Sequence, residues 1–435
     1  MARRHARGLL LAGIAATLLA AGAVAAGREE TYAIVGARVM PVSGPVLDRA
    51  TIVMRGGLIE SVGASVAVPP GARVIEGAGL TLTPGLIDGF GGVGLPAASP
   101  RPSPGPATRE APAAALAPQR LALERVRAAD ALEARDGGVT TVLVIPPEGV
   151  LPGRSVLLNL SGEEADGMVL RQPAALHVHM ATLANRYPGS LMGTMALVRQ
   201  SLLDAGRYRE EWAAYEKAPA GRRRPAYDAA LDAWADVTAG LLPLVVTAPR
   251  ENDLRRALAL ADEFKVRVIA AGAPQAWRLV NEIKARKLPL LVSVNFDPPR
   301  AVTGFAAAAA DEEKERKDIE DAERNPAALH QAGVAFALVS GHAPSFLSGV
   351  RTAIARGLPA DAALRAVTLG AAEVLGIADR TGSLDPGKIA NVVAWSGDPL
   401  SKEATVKMVF ADGQLHEPDE RPQPSPTPAP GEEER

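Results

Sequence analysis

Residues 74–90 read VIEGAGLTLTPGLIDGF, and the character of the sequence changes within this stretch. Before it, short β-branched runs such as Tyr32–Met40 and Leu58–Val62 alternate with turn residues. Such runs predict a small β element that ends near Leu82. After Asp88 the pattern becomes a strand followed by a helix, many times over, which is typical of an α/β domain.

The α/β part contains apolar runs of strand length separated by stretches with helical periodicity. The predicted strands are Gly85–Phe90, Thr140–Ile145, Ala174–Met180, Leu244–Ala248, Val266–Ala270, Pro289–Val294 and Ala335–Ser340. The predicted helices are Pro118–Arg135, Leu191–Tyr215, Asn252–Phe264, Pro274–Arg286, Asp311–Gln331, Phe346–Arg356 and Pro359–Leu375. This alternation predicts a parallel sheet, and the length of the region favours a TIM-like (β/α) barrel over an open sheet.

The β pattern returns after the barrel, at Asn391–Trp395 and Val406–Phe410. The two β portions flank the barrel in sequence, so we expect them to pair as one composite β-sandwich. The predicted organisation is a signal peptide at 1–26, a composite domain from 31–83 and 379–416, a barrel at 84–378, and a Pro-rich disordered tail at 417–435.

The composition excludes several classes of function. The chain has 435 residues, with 47 Lys and Arg against 49 Asp and Glu, a net charge of -2 and no cysteine. The absence of a basic surplus argues against nucleic-acid binding, and the absence of cysteine excludes disulfides and thiolate metal sites. Only six histidines are available for chemistry: His5, His177, His179, His330, His342 and His416.

The first residues predict export. Arg3, Arg4 and Arg7 precede an apolar, alanine-rich run that ends in small residues, which is typical of a signal peptide cut near Ala25 or Ala26. An uncleaved membrane anchor is the alternative, because the run approaches the length that spans a bilayer. The expected location is the bacterial periplasm.

Both flanks of the barrel resemble the amidohydrolase superfamily, in particular its imidazolonepropionase-like branch. The N-terminal similarity runs over 33–88 through IVMRGGLIESVGA and VIEGAGLTLTPGLID. The C-terminal similarity runs over 335–400 through RTAIARGLPADAALRAVTLGAAEVLGIADRTGSLDPGKIANVVAWSGDPL. The resemblance implies a barrel with a composite β-sandwich. It also implies a metal-dependent hydrolase of non-peptide carbon–nitrogen bonds, such as those of cyclic amides.

The residues that hold the metal in that family are degenerate in this chain. The family has a His-x-His pair after PGLID, later histidines at the ends of barrel strands, and an aspartate after the last strand. The positions that correspond to these ligands are Phe90, Gly92, Thr247, Ala271 and Gly341. None of these side chains is an imidazole or a carboxylate, so we expect no metal cofactor and assign no catalytic residue.

One feature favours the opposite interpretation. In the run Leu176–Met180 (LHVHM), His177 and His179 lie two residues apart, so on a strand they share one face. If that face points into the barrel, the two imidazoles, with His342 from the last strand, would form a rearranged site for zinc or another divalent metal. The alternative is that they are hydrogen-bonded histidines in a barrel that has lost its metal.

Gly89–Gly94 formally matches the G-x-G-x-x-G pattern of dinucleotide-binding folds. That motif needs a helix to begin at its third glycine. Prolines forbid such a helix here, at Pro96, Pro100, Pro102, Pro104 and Pro106. A nicotinamide site is therefore not expected.

Two principal functions remain open. The first is a non-catalytic homologue that acts as a scaffold, binds a small molecule in the barrel mouth, or forms a homo-oligomer or a hetero-oligomer with an active paralogue. The second is an active hydrolase that uses His177, His179 and His342. Metal-free catalysis by unidentified residues is a third interpretation. The substrate is not predicted, because loops at the strand ends set specificity in such barrels.

Overall fold

The structure is a computed structural model, which describes residues 30–94, 115–146, 149–296, 309–341 and 346–418. The predicted signal peptide, most of the predicted tail and His342 lie outside these described residues. Within them, no helix combines the length and the apolar character needed to cross a bilayer.

The strands and helices follow the predicted alternation. In chain order the strands are β1 (Thr31–Val39), β2 (Leu47–Arg55), β3 (Leu58–Gly63), β4 (Arg73–Glu76), β5 (Leu80–Pro84), β6 (Leu86–Gly91), β7 (Val139–Val144), β8 (Gly153–Arg154), β9 (Val156–Asn159), β10 (Val169–Arg171), β11 (Leu176–His179), β12 (Leu244–Thr247), β13 (Val268–Gly272), β14 (Leu290–Ser293), β15 (Phe336–Val339), β16 (Val392–Ser396), β17 (Val406–Ala411) and β18 (Gln414–His416). The α-helices are α1 (Ala128–Asp136), α2 (Leu191–Lys217), α3 (Ala229–Thr238), α4 (Glu251–Phe264), α5 (Val280–Arg286), α6 (Ala309–Ala332), α7 (Phe346–Ala355), α8 (Ala360–Ala366) and α9 (Leu369–Leu375).

The two ends of the chain form one sheet, as the flanking β patterns predict. Its strand order is β18-β17-β16-β5-β1-β2-β3, with β4 paired to β1. The N-terminal and C-terminal parts meet where β5 and β16 run antiparallel. There the buried Trp395 indole N–H donates a hydrogen bond to Thr83 Oγ1 over 2.9 Å.

The barrel strands have the topology of a TIM-like barrel, with one exception to the predicted parallel sheet. Strands β6 and β7 are parallel, and so are β11 to β15. Between these groups the segment 153–159 runs antiparallel to both neighbours: β8 pairs with β11, and β9 pairs with β7. The apolar pattern of this segment does not specify the direction in which it pairs, and the segment was not predicted as a strand.

Strand β6 lies beside β15, at the other edge of the strand order. The backbone N–H of Gly341 donates to the carbonyl oxygen of Phe90 over 2.9 Å. The buried Asp88 carboxylate reinforces this contact between β6 and β15, which we call the Asp88 seam. Its Oδ1 atom accepts hydrogen bonds from the backbone N–H of Ser340 at 3.0 Å and from that of Phe90 at 3.3 Å.

Two predicted helices are each divided in the structure. The segment Pro118–Arg135 contains a 3-10 helix at Ala122–Arg125 and then α1, because Val126 is extended. The segment Pro359–Leu375 contains α8 and α9, which are separated at Thr368, where the backbone leaves the helical region. Helix α3 was not predicted; it begins at Asp228, whose carboxylate accepts hydrogen bonds from the N–H groups of two helix residues.

The barrel strands separate two apolar clusters. Leu176, Val178 and Met180 belong to the cluster that contains apolar residues of the surrounding helices. A second cluster contains side chains from the other faces of the strands, among them Val245 and Ile269. Since neighbouring strand residues face opposite sides, His177 and His179 point into the barrel, as the alternation predicts.

Candidate functional site at the mouth of the barrel

The mouth is the end of the barrel where the parallel strands finish, which is where enzymes of this architecture place their active sites. The strand register aligns the inward-facing residues His179, Thr247, Ala271, Leu291 and Ala337 side by side across β11 to β15, and we call this row the upper layer. His179 and Thr247 end their strands, whereas Leu291 and Ala337 lie two residues before the ends of β14 and β15. Four of the five offer a hydroxyl or an aliphatic group. This layer therefore contains a single imidazole.

The layer below is also mainly apolar. His177 lies beside Val245, which lies beside Ile269. The His177 side chain is completely buried, and its Nε2 atom is 2.8 Å from the hydroxyl of Ser155. Ser155 lies on the antiparallel segment, and its hydroxyl also lies 3.3 Å from the carbonyl oxygen of Ala175. The hydroxyl can donate to the carbonyl and accept from an Nε2–H group of His177.

The environment keeps His177 neutral. Burial, with a smaller contribution from the nearby His179, lowers the pKa of His177 to about 3. Within the described residues, no hydrogen-bond partner reaches the buried Nδ1 atom of His177 or the buried hydroxyl of Thr247. These two atoms are the unsatisfied polar groups on the inner face of β11 and β12.

The residues at the family's first ligand pair do not provide metal donors. Phe90 is half-buried and packs against the inner apolar cluster. Gly92 follows the end of β6 and has no side chain. The aromatic ring thus adds to the apolar filling of the barrel at a position where the resemblance implies an imidazole.

The backbone conformation and the packing at the position that corresponds to the family's aspartate both favour glycine. Gly341 has a φ of +57°, in the left-handed region that side chains other than glycine rarely adopt. A Cβ atom at this position would overlap the hydroxyl of Ser293 at the end of β14. The main chain after β15 therefore excludes a side chain here without local rearrangement.

Asp88 is a polar residue of the mouth region to which the sequence analysis gave no role. Its carboxylate holds the first and last barrel strands together through the backbone N–H groups of Ser340 and Phe90. A Cβ on Gly91 would overlap the carboxylate and the Ser340 hydroxyl, so glycine is needed for this close approach. In the sequence, the signal for this role was a charged residue within an otherwise apolar strand.

The donors in the described residues do not fit the metal centre that the family implies. Nowhere in the described ranges do three or more histidine, aspartate, glutamate or cysteine side chains form a group that could hold a metal ion. The structure brings His177 and His179 onto one face but leaves Phe90, Gly92, Thr247, Ala271 and Gly341 without a strong metal donor. The predicted third ligand, His342, lies outside the described residues.

The C-terminal part of the chain matches a family by sequence. Residues 282–416, from α5 to the last strand, match the family model named Amidohydrolase family. No curated protein is similar enough to this chain to be matched by sequence.

Solved structures with the same fold cover nearly all of the described chain. An amidohydrolase from Thermotoga maritima superimposes with a TM-score of 0.74 at 22% identity, covering 88% of this chain and 99% of its own. A Xaa-Pro dipeptidase with bound methionine gives 0.57 at 18% identity, covering 89% and 100%. A zinc-bound adenosine deaminase from Xanthomonas campestris gives 0.51 at 18% identity, covering 88% and 92%.

Proposed function

We propose that this chain is an exported, non-catalytic member of the amidohydrolase superfamily, whose family model matches residues 282–416, and that it acts as a scaffold or as the partner of an active paralogue. A hydrolytic site of this family needs several imidazole and carboxylate ligands around a metal that activates water. The single observation that carries the proposal is the upper layer at the mouth, where His179 is followed by Thr247, Ala271, Leu291 and Ala337.

The local packing supports the same proposal. Phe90 packs against the inner apolar cluster, and the buried Ala271 belongs to that cluster. A histidine at position 271 would add a large polar side chain to a filled core, which is destabilising. A histidine at this position would therefore require the inner cluster to repack, which supports the proposal.

The alternative function is an active metal-dependent amidohydrolase with a rearranged site made by His177, His179 and His342. The unsatisfied Nδ1 atom of His177 favours it, because a buried nitrogen without a partner is unusual in a folded protein. Against it, Nε2 of the same ring lies within hydrogen-bond distance of Ser155. Zinc or another divalent ion would be the cofactor in this case.

The metal content of the purified chain distinguishes the non-catalytic function from the metal-dependent hydrolase. The chain is produced with zinc or manganese supplied, and the metal bound per chain is measured after gel filtration. We expect well below one equivalent, with no change in the His177→Ala variant. Near-stoichiometric metal that disappears in His177→Ala would support the alternative and contradict the proposal.

Export and partnership have separate tests. Cleavage near Ala25 or Ala26 predicts that N-terminal sequencing of the periplasmic protein begins at one of the next residues. A full-length N-terminus in the membrane fraction would instead support an anchor. The partner proposal predicts that purification under native conditions recovers a paralogue whose metal ligands are complete.

A further inference from the structure

A cavity of about 700 Å³ opens at the end of the barrel opposite the mouth. We call it the basal cavity. Its apolar wall includes one residue placed two positions before each of the strands β11 to β14: Ala174, Leu242, Val266 and Leu288. Each of these four side chains keeps 4–7% of its surface exposed. The volume lies within the range of small-molecule sites.

Three cations border this apolar wall. Arg267 directly follows Val266, Lys287 directly precedes Leu288, and Arg171 lies opposite them beside the end of α9. The Arg171 guanidinium donates to the carbonyl oxygen of Leu375 at 3.3 Å and to that of Gly376 at 2.6 Å. These acceptors are neutral, so they do not cancel the charge of the guanidinium.

The other charged residues of the cavity are already neutralised. Arg286 forms an ion pair with Asp262 at 2.7 Å. Glu373 forms a two-oxygen ion pair with Arg365 at 2.6 and 2.8 Å. Among the described residues, no carboxylate pairs with Arg171, Arg267 or Lys287. The basal cavity thus carries a surplus of three positive charges on a chain whose net charge is -2.

We propose that the basal cavity binds an amphipathic carboxylate with an unbranched aliphatic chain. The chain would lie against Leu242, Val266 and Leu288, and the carboxylate would lie at the rim between Arg267 and Lys287. Apolar walls with a few placed charges are the usual composition of such sites, and ionised hydrogen bonds to guanidinium or ammonium are the stronger kind. The proposal does not depend on whether the mouth is catalytic.

The test is calorimetric titration of the mature chain with decanoate below its micelle concentration. We expect binding of one equivalent, and about tenfold weaker binding by the double variant Arg267→Gln/Lys287→Gln. Decyltrimethylammonium has the same chain length and the opposite charge, and we expect it not to bind. Inorganic phosphate tests the head group alone and should bind far more weakly than decanoate.

The matched control is Lys265→Gln. Lys265 follows α4 in the left-handed conformation, with φ of 56°, as Lys287 follows α5 with φ of 51°, but Lys265 does not line the cavity. The Lys265→Gln variant should bind decanoate with the same affinity as the unmodified chain. A second variant, Ala261→Phe, places a ring in the cavity and should abolish binding while thermal unfolding reports that the fold is kept.

Three results would each overturn the proposal. They are the absence of decanoate binding, equal binding of decanoate and decyltrimethylammonium, and decanoate affinity that is unchanged in either the double variant or Ala261→Phe.

Discussion

The two ends of the barrel differ in how their inner space is used. At the mouth, the upper layer consists of His179, Thr247 and aliphatic residues, and Phe90 adds an aromatic ring to the inner cluster. At the opposite end, a cavity of about 700 Å³ remains open, and the cations Arg171, Arg267 and Lys287 at its rim form no ion pair within the described residues. In TIM barrels the mouth is the usual place for chemistry and the opposite face serves stability.

The residues that maintain the fold are different from those that would form a metal site at the mouth. The composite sheet, the strand register and the Asp88 seam require none of the metal ligands. Under the proposed function, the barrel keeps its architecture while its mouth forms part of the core. Function in such a chain has to be argued from the remaining polar and charged side chains.

The largest expected effect comes from restoring the carboxylate of the family at the mouth. In Gly341→Asp, the left-handed backbone costs about 1–2 kcal/mol, and the overlap with Ser293 costs about 1–3 kcal/mol. We expect the free energy of unfolding to fall by about 3 kcal/mol in total, measured by urea denaturation.

Gly240→Asp is the matched control for this variant. Gly240 also has a positive φ, of +74°, but a Cβ atom there would meet no atom within 4 Å. Gly240→Asp should lose only the backbone contribution of about 1–2 kcal/mol. Equal losses in the two variants would show that the packing around Gly341 does not exclude a side chain.

A smaller effect concerns the pH dependence of stability. The folded pKa of His177 is about 3, below the ordinary value of 6.5, so the unfolded chain binds this proton more readily. The stabilisation is complete above pH 6.5 and is lost as the pH falls toward 3. Between pH 7 and pH 5 the loss amounts to about 2 kcal/mol from this residue.

The variant His177→Gln checks this effect, because it removes the titrating group. Its free energy of unfolding should depend on pH by about 2 kcal/mol less over the same interval. His416→Gln is a comparison: burial lowers the pKa of His416 to about 4, with Arg135 acting in the same direction, but the ring is only half-buried. His416→Gln should flatten the curve by a similar amount between pH 7 and pH 5, and by less than His177→Gln below pH 4. An unchanged curve in His177→Gln would mean that the imidazole is not held neutral by burial.

The smallest expected effect is that restoring two histidines at the mouth does not increase hydrolysis. Phe90→His/Gly92→His restores the first ligand pair of the family but not the carboxylate at Gly341, so we expect no hydrolysis of cyclic amides above that of the unmodified chain in the presence of zinc. The measurement is release of the ring-opened product. Measurable turnover by this double variant would show that the mouth is closer to an active site than its packing indicates.

Much of the fold could be predicted because its signals are local. The apolar runs at β6, β7 and β11 to β15 gave strands close to their observed bounds, and the two flanking β portions pair with each other as predicted, in one sheet. The antiparallel segment 153–159 was missed because pairing direction depends on distant neighbours. The break at Thr368 was missed because helical periodicity continues across it.

The site could be predicted only in part, for a similar reason. Alternation along β11 correctly places His177 and His179 inside the barrel. The partner of His177 is Ser155, which is 22 residues away on the missed strand. The unsuitability of Gly341 for a side chain also depends on a contact with Ser293, from another strand, that no local pattern reveals.

The most direct test of the central claim, that the mouth cannot hold a catalytic metal, is a crystal of the chain soaked in zinc and measured at the zinc absorption edge. We expect no ordered zinc at the mouth, Phe90 packed against the inner cluster, and His177 hydrogen-bonded to Ser155. A well-occupied zinc ion bound to His177 and His179, with an ordered water on its open side, would contradict it.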